Sequence, residues 1–483
     1  MSSMKMRDDK PAEGAPVTAM WLTVVGIGES GYAGLDRAPR RALWAARHIV
    51  GAGRHLALLP ARLQARGVAW PSPFSLTPLH ALHGQPVVAL ASGDPMWFGV
   101  GAAISREFPA ESYTIWPGVS SIALAAARLR WPLDVVATLS LVGRPLASLN
   151  AALYAGERLI VLSADATTPQ AVAGLLTARG FGASVMTVCN RLGGPGEYLF
   201  SVRADTWGAS DSARVDALNV IGIHCIGISS MPGDIDASMS SVPITWGLTP
   251  GLPDDLFTHD GQLTKREQRA VTLAHLAPRP GEVLWDVGAG SGSIGIEWMR
   301  AHRRCQAIAI EANASRQALI VRNRDRFGVP GLRVIPGSAP EALEGLPQPD
   351  AIFIGGGVTA PGVLPRCWRA LRPGGRLVAN AVTLQSESLL VDWHARHGGE
   401  LIRLTVSHAA PLGGFDVWRG ALPLTIWAYT KGHADAGIDT STASDGIADN
   451  EVSSTTSPCD RIESCKGGDT LNDCPGEAAN HAS

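Results

Sequence analysis

From Trp21 onward, short runs of apolar and β-branched residues alternate with stretches in which apolar positions recur at helical spacing. The runs at 21–28, 87–91, 113–116, 135–142, 159–162, 185–188 and 220–223 predict strands, and the alternation predicts an α/β architecture. At 228–246 Ser, Gly, Pro and Met replace the periodic pattern, which predicts a linker. Strand-like runs then resume at 283–287, 307–311, 333–335, 351–354, 376–382, 401–407 and 425–429, with helical segments between the first five. Residues 433–483 contain no aromatic side chain and are rich in Ser, Thr, Asp, Gly and Ala, so they are expected to form a disordered tail. The resulting division is a disordered N-terminus at 1–18, a first domain at 19–227, the linker at 228–246, a second domain at 247–432 and the tail at 433–483.

Composition narrows the function classes. A chain of 483 residues, 46% hydrophobic and 17% charged, has the material for two or three packed domains. Lys and Arg number 41 against 43 Asp and Glu, leaving no basic excess for a nucleic-acid track, so no nucleic-acid partner is expected. The apolar run 21–27 is far too short for the roughly 20 residues that span a bilayer. Residues 1–16 alternate charges without the apolar centre of a secretory signal, and a cytoplasmic protein without membrane contact is expected. The seven cysteines form no C-x-x-C pair, so neither a metal site nor a disulfide framework is predicted.

Candidate chemistry centres on D-V-G-A-G-S-G, residues 286–292, between the run 283–287 and a helix expected to begin near Ser293. In a doubly wound sheet ligands sit at the carboxyl ends of strands, where Gly288, Gly290 and Gly292 allow close backbone approach. G-S-G-S-I-G at 290–295 also satisfies the dinucleotide pattern, which leaves an NAD-dependent oxidoreductase as the rival reading. Charge favours S-adenosylmethionine (SAM), because Asp286 would attract a sulfonium and repel a pyrophosphate. Glu311 ends the next run, where a carboxylate can accept both ribose hydroxyls of either cofactor. A-I-F-I-G-G-G at 351–357 and the turn L-R-P-G-G-R at 371–376 add weight to SAM. Thr264 and Glu267 also form T-x-x-E ahead of a helical pattern, a capping box in its own right.

With these residues in place, the second half resembles the decarboxylating precorrin methyltransferases of cobalamin biosynthesis. The segment G-L-P-D-D-L-F-T-H-D-G-Q-L-T-K-R-E at 251–267, the glycine loop and G-S-A-P-E-A-L at 337–343 carry the resemblance. It implies a Rossmann-like seven-stranded SAM methyltransferase fold with Thr264, Asp286, Gly288, Ala289, Gly290, Ser291, Gly292, Glu311 and Ala339 at the cofactor. The first half is similar to the two-lobed tetrapyrrole methylase fold, through V-V-G-I-G at 24–28, A-S-G-D-P at 91–95, P-G-V-S-S at 117–121 and L-V-G-R at 141–144. That likeness implies a second SAM site built from Gly26, Gly28, Ser92, Gly93, Asp94, Trp97, Ser120 and Ser121. Many relatives carry Pro-Gly where this chain has Glu29 and Ser30, so those two receive no ligand role.

The order of the two halves resembles fused members of the family. The resemblance implies that two SAM molecules methylate carbons 5 and 15 of a reduced tetrapyrrole, the first domain acting on carbon 5 and the second on carbon 15, with loss of the carbon 12 acetate as carbon dioxide. A substrate with many carboxylates calls for arginines at the rim, and Arg144 and Arg266 are the candidates, with Asn380 as a further substrate contact. His259 and His408 are proton-donor candidates by residue type. Self-association is expected from relatives of both halves. A non-catalytic tetrapyrrole- or SAM-binding protein is the remaining alternative.

Overall fold

The computed structural model describes residues 20–227 and 246–432. The expected N-terminus 1–18 and tail 433–483 lie outside the described residues, as does the expected linker except Trp246.

The first domain has two sheets. β1 (Leu22–Ile27), β2 (His48–Gly51), β3 (Gly67–Ala69), β4 (Val87–Ser92) and β5 (Tyr113–Trp116) form an all-parallel sheet in the order β3-β2-β4-β1-β5. Its central strands β1 and β4 are apolar but for Thr23 and the terminal Ser92, because both faces are covered. Leu22 and Val24 join one cluster with Ile104 and Phe108, while Val25 and Ile27 join another with Leu43 and Leu63. The second sheet contains β6 (Ala137–Ser140), β7 (Arg158–Leu162), β8 (Val185–Asn190), β9 (Tyr198–Arg203) and β10 (Asn219–His224), in the order β6-β7-β10-β8-β9. The helix Ser121–Leu129 packs Ile122, Ala125 and Ala126 against Ile160 and Val220 of this sheet, so it belongs to the second lobe.

The second domain is built on β11 (Val283–Val287), β12 (Gln306–Glu311), β13 (Arg333–Pro336), β14 (Ala351–Ile354), β15 (Arg376–Ala381), β16 (Glu400–Leu404) and β19 (Leu424–Thr430). Their order is β13-β12-β11-β14-β15-β19-β16, the first five parallel and β19 antiparallel to both neighbours. Side chains alternate between two cores: Leu284, Ala307 and Phe353 face one, Trp285, Ile308 and Ile352 the other. The chain reverses direction across the sheet between β11 and β14, and such a switch opens a crevice at the carboxyl ends of the strands. β17 (Ser407–Leu412) and β18 (Phe415–Gly420) form a separate hairpin.

Two strand expectations are corrected. The run 401–407 ends as a strand at Leu404, and Ser407 opens the hairpin instead. The run 135–142 shortens to β6, because Leu133–Val135 forms a 3-10 turn. The domains touch where the Asn150 amide donates to the Asp325 carbonyl at 2.8 Å, and the guanidinium groups of Arg179 and Arg326 lie 5.2 and 5.6 Å from the ring of Trp246. Among the described residues no helix is long and apolar enough to cross a membrane.

Candidate functional site

At the carboxyl ends of β11, β12, β14 and β15 lies a cavity of about 500 Å³. Thr264, Gly288, Ala289, Gly290, Glu311 and Ala339 line it, together with Gln262, Gln268, Asn380 and the glycines after β14. Gly288 has φ +70°, and a Cβ there would lie 2.8 Å from the backbone of Gly356, so the loops after β11 and β14 meet through glycine. Glu311 is only 6% exposed, yet it reaches the cavity wall. Its Oε2 accepts from the Gly290 amide at 2.8 Å and its Oε1 from Asn313 at 2.9 Å, leaving each oxygen a further lone pair. An anchored carboxylate beside a glycine cradle fits the ribose of a cationic nucleoside cofactor.

Asp286, Ser291 and Gly292 stand outside the lining. The Asp286 carboxyl is buried, its Oδ2 accepts from the Gly295 amide at 2.9 Å, and its Oδ1 has no partner among the described residues. Burial, reinforced by Glu311, pushes its pKa up to about 7. The acid on the cavity wall is therefore Glu311, and the selection by charge expected of Asp286 falls to that neighbour. Gly292 opens the helix Ser293–Ala301 with φ +80° and packs on Ile320.

The shift at Asp286 makes a testable contribution to stability. The native state retains this proton up to about pH 7, whereas the unfolded chain releases it near 3.8. Stability supplied by the neutral form is thus present in full below about pH 4 and is lost as pH rises to about 7. The melting temperature of D286N should fall less than that of the unsubstituted chain over this window. Equal slopes in a pH series of thermal melts would refute the assignment.

The entry segment before the cavity hangs on one buried arginine. The helix Arg266–Leu276 begins after an N-cap, Lys265, that makes no side-chain capping bond, so the capping box expected of Thr264 and Glu267 does not form. Thr264 is held instead through its carbonyl, which accepts from Arg269 Nη1. Arg269 is fully buried, and its Nε meets Glu297 Oε1 at 2.6 Å. It also pairs with Asp254 at 3.2 Å and donates to the Leu252 carbonyl. Glu297 accepts in turn from the amides of Gly251 and Leu252 at 2.6 and 3.1 Å.

The expected substrate contacts are dispersed around this cavity. Asn380 lies on its wall, donating to Thr272 Oγ1 at 3.0 Å and keeping a buried Oδ1 without a partner among the described residues. Arg266 and His408 line a separate cavity of about 440 Å³ with Lys265 and Glu267, and the His408 ring is 3.6 Å from Glu267. Arg266 Nε also donates to the Gly251 carbonyl at 2.9 Å. His259 lines neither cavity; its Nδ1 accepts from the Gly261 amide at 3.0 Å and shapes the turn of the entry segment.

In the first domain the ends of β1, β4 and β5 converge. A Cβ on Gly26 would overlap the Gly93 carbonyl and the Gly118 amide. Gly93 donates to the Ile27 carbonyl at 3.0 Å, and Gly118 donates to Gly93 at 3.1 Å. Gly28 follows β1, and a Cβ there would meet only the Ser30 hydroxyl, at 4.0 Å, so a ligand can approach its backbone. The Ser92 hydroxyl accepts from Arg54 and lies 3.1 Å from His55 Nε2. Burial pushes His55 down to about 3, so the ring is neutral. Asp94 Oδ1 accepts from the Met96 amide at 2.9 Å and closes a turn. Ser120 caps the helix that starts at Ser121, its Oγ accepting from the Ala123 amide at 3.0 Å. Trp97 is half exposed and edge-on to Phe98, over whose ring the Arg144 guanidinium lies at 5.1 Å. Arg144 follows β6, so it reaches from the second lobe to the loop after β4.

No linear pattern signals Arg54, His55 or Gln268, which reach these positions only when separate segments meet. Both domains match families of known proteins. Residues 22–206 match the model of the tetrapyrrole (corrin/porphyrin) methylases, and residues 255–431 match that of the precorrin methyltransferase domain. A precorrin-6Y C(5,15)-methyltransferase [decarboxylating] from a Sinorhizobium species is 45% identical over 419 residues, 86% of this chain and 98% of that protein. The protein of that name from Mycobacterium tuberculosis is 42% identical over 412 residues, 85% of this chain and 100% of its own length. The crystal structure of the C-terminal domain of precorrin-6Y C5,15-methyltransferase from Rhodobacter capsulatus is 48% identical over 38% of this chain and 100% of that one, with a TM-score of 0.37. The chain belongs to the family of decarboxylating precorrin-6Y C(5,15)-methyltransferases.

Proposed function

We propose that this protein methylates carbons 5 and 15 of precorrin-6Y with two SAM molecules and removes the carbon 12 acetate as carbon dioxide, giving precorrin-8X in cobalamin biosynthesis. The observation that carries the reading is the glycine-lined cavity at the carboxyl ends of the parallel strands of the second domain, in a chain of this family whose first domain also gathers Gly26, Gly93 and Gly118 at the ends of β1, β4 and β5. Residues 19–227 would perform the carbon 5 methylation, and residues 247–432 the carbon 15 methylation and decarboxylation. Bound SAM supplies an already activated methyl group, so the chain's task is placement.

In the second domain Glu311 would hold the ribose, Gly288 and Gly290 would let the cofactor lie on the backbone, and Thr264 would close the cavity from the entry segment. The orphan Asn380 Oδ1 suits a pyrrole N–H of the macrocycle. Arg266 and Lys265 would take substrate carboxylates beside it, and His408, poised by Glu267, is the better placed of the two proton-donor candidates. In the first domain Gly26, Gly28, Gly93 and Asp94 would form the cofactor crevice, with Trp97 and Arg144 on the macrocycle side. The hydroxyls of Ser92 and Ser120 are engaged by the protein itself, so their contribution, with that of Ser121, would come from the backbone. The protein would act in the cytoplasm as a homo-oligomer. Neither an NAD-dependent oxidoreductase nor a non-catalytic binding protein is supported by the family.

Incubation with precorrin-6Y and SAM should yield a product that has gained two methyl groups and lost one carbon dioxide. Any other mass change refutes the proposal.

A further inference from the structure

Glu29 follows β1 in the first lobe, and its side chain is only 10% exposed although no apolar core surrounds it. What covers it is the second lobe. The loop after β8 sits on it so closely that a Cβ on Gly194 would lie 2.7 Å from that of Glu29. From that loop Arg191 donates to Glu29 Oε2 at 3.0 Å, and the same guanidinium lies 3.6 Å from Asp216. On its other side Glu29 Oε1 is 3.7 Å from Arg54, which holds the Ser92 hydroxyl at the end of β4. Asp216, Arg191, Glu29 and Arg54 thus form a continuous charged chain that runs from the second lobe to the Ser92 hydroxyl on the cofactor side of the first.

We propose that Glu29 is a positioning residue that ties the second lobe to the Ser92–Asp94 loop, setting the width of the crevice in which SAM binds the first domain. The inference rests on the assignment of a cofactor site to that crevice. The carboxylate links two guanidinium groups that belong to different lobes, and a charge-assisted hydrogen bond in so sheltered a place is worth more than one in water. Neutralising it leaves Arg54 and Arg191 without their common anion. Arg54 is then free to leave Ser92, and the loop that Gly93 and Asp94 share with it loosens.

The test is titration of the full chain with S-adenosylhomocysteine, followed in parallel by thermal melts. The unsubstituted chain should bind two equivalents; a single equivalent, with none lost on perturbing the first domain, would defeat the underlying site assignment rather than the role of Glu29. Given two equivalents, E29Q should weaken the first-domain site about tenfold, or about 1.4 kcal/mol, and leave the second-domain site unchanged. R191Q should weaken the same site, and E29Q/R191Q should be no worse than the poorer single variant, because both remove one link. E29D, which keeps the charge, should recover part of the affinity. Should E29Q fail to fold, R191Q carries the test, since the Arg191 side chain is 47% exposed. Unchanged first-site affinity in a folded E29Q or R191Q, or additive losses in the double variant, overturns the proposal.

Discussion

Replacing Gly288 with valine should leave one S-adenosylhomocysteine site where the unsubstituted chain is expected to have two, and carbon 15 methylation should cease. The residue has φ +70°, a region that costs an L side chain about 1–2 kcal/mol and a β-branched one more. The added Cβ would also sit 2.8 Å from the Gly356 amide nitrogen and carbonyl oxygen. Neither loop can move away easily, because β11 and β14 are paired in register up to Val287 and Ile354, one residue before Gly288 and two before Gly356. Strain and displacement together should reduce affinity at this site by at least about a hundredfold, or about 2.7 kcal/mol. Gly26→Val supplies the reciprocal case, since its side chain would overlap the Gly93 carbonyl and the Gly118 amide in the first domain. Each variant should lose its own equivalent and keep the other. Two equivalents retained by Gly288→Val in a calorimetric titration would remove the second-domain cavity from the mechanism.

Much of this architecture is legible because parallel strands buried on both faces are written as unbroken apolar runs. β14 is such a run and has the bounds that hydrophobicity predicts, as do β11, interrupted only by Asp286, and the partly exposed edge strand β5. β9 was not legible: within Tyr198–Arg203 only Phe200 is buried, so no apolar run announces it. The hairpin of β17 and β18 is exposed almost throughout, including Phe415 and Trp418, and packing therefore left no mark in its sequence. At the candidate sites the glycines are readable because backbone approach requires glycine, whereas the roles of the charged residues depend on burial, which a linear pattern does not contain. Asp286 is the last residue but one of β11 and Glu311 the last of β12, yet one is sealed behind the wall and the other reaches the cavity. Thr264 and Glu267 have the spacing of a capping box, but Arg269 takes the Thr264 carbonyl and the helix starts beyond it. Local propensity yields there to a long-range ion pair.

That ion pair carries the second large expectation. Arg269 spends its donors on Glu297, Asp254 and the carbonyls of Thr264 and Leu252, and it is wholly buried. Arg269→Met would leave Glu297 as an uncompensated buried charge, at a cost of about 3–5 kcal/mol. For a domain of this size, at about 2–4 °C per kcal/mol, melting of the second domain should fall by roughly 10 °C. The Arg269→Met/Glu297→Leu double variant should recover most of that loss, because replacing a buried pair with apolar groups is often close to neutral. Cofactor affinity should not recover with it. Glu297 also holds the amides of Gly251 and Leu252, and Arg269 the carbonyl of Thr264, so the double variant packs its core while releasing both ends of the segment that closes the cavity. Stability restored without S-adenosylhomocysteine binding is therefore the expected signature, read from paired melts and titrations. A double variant that regained both would show that the ion pair stabilises the domain without positioning Thr264.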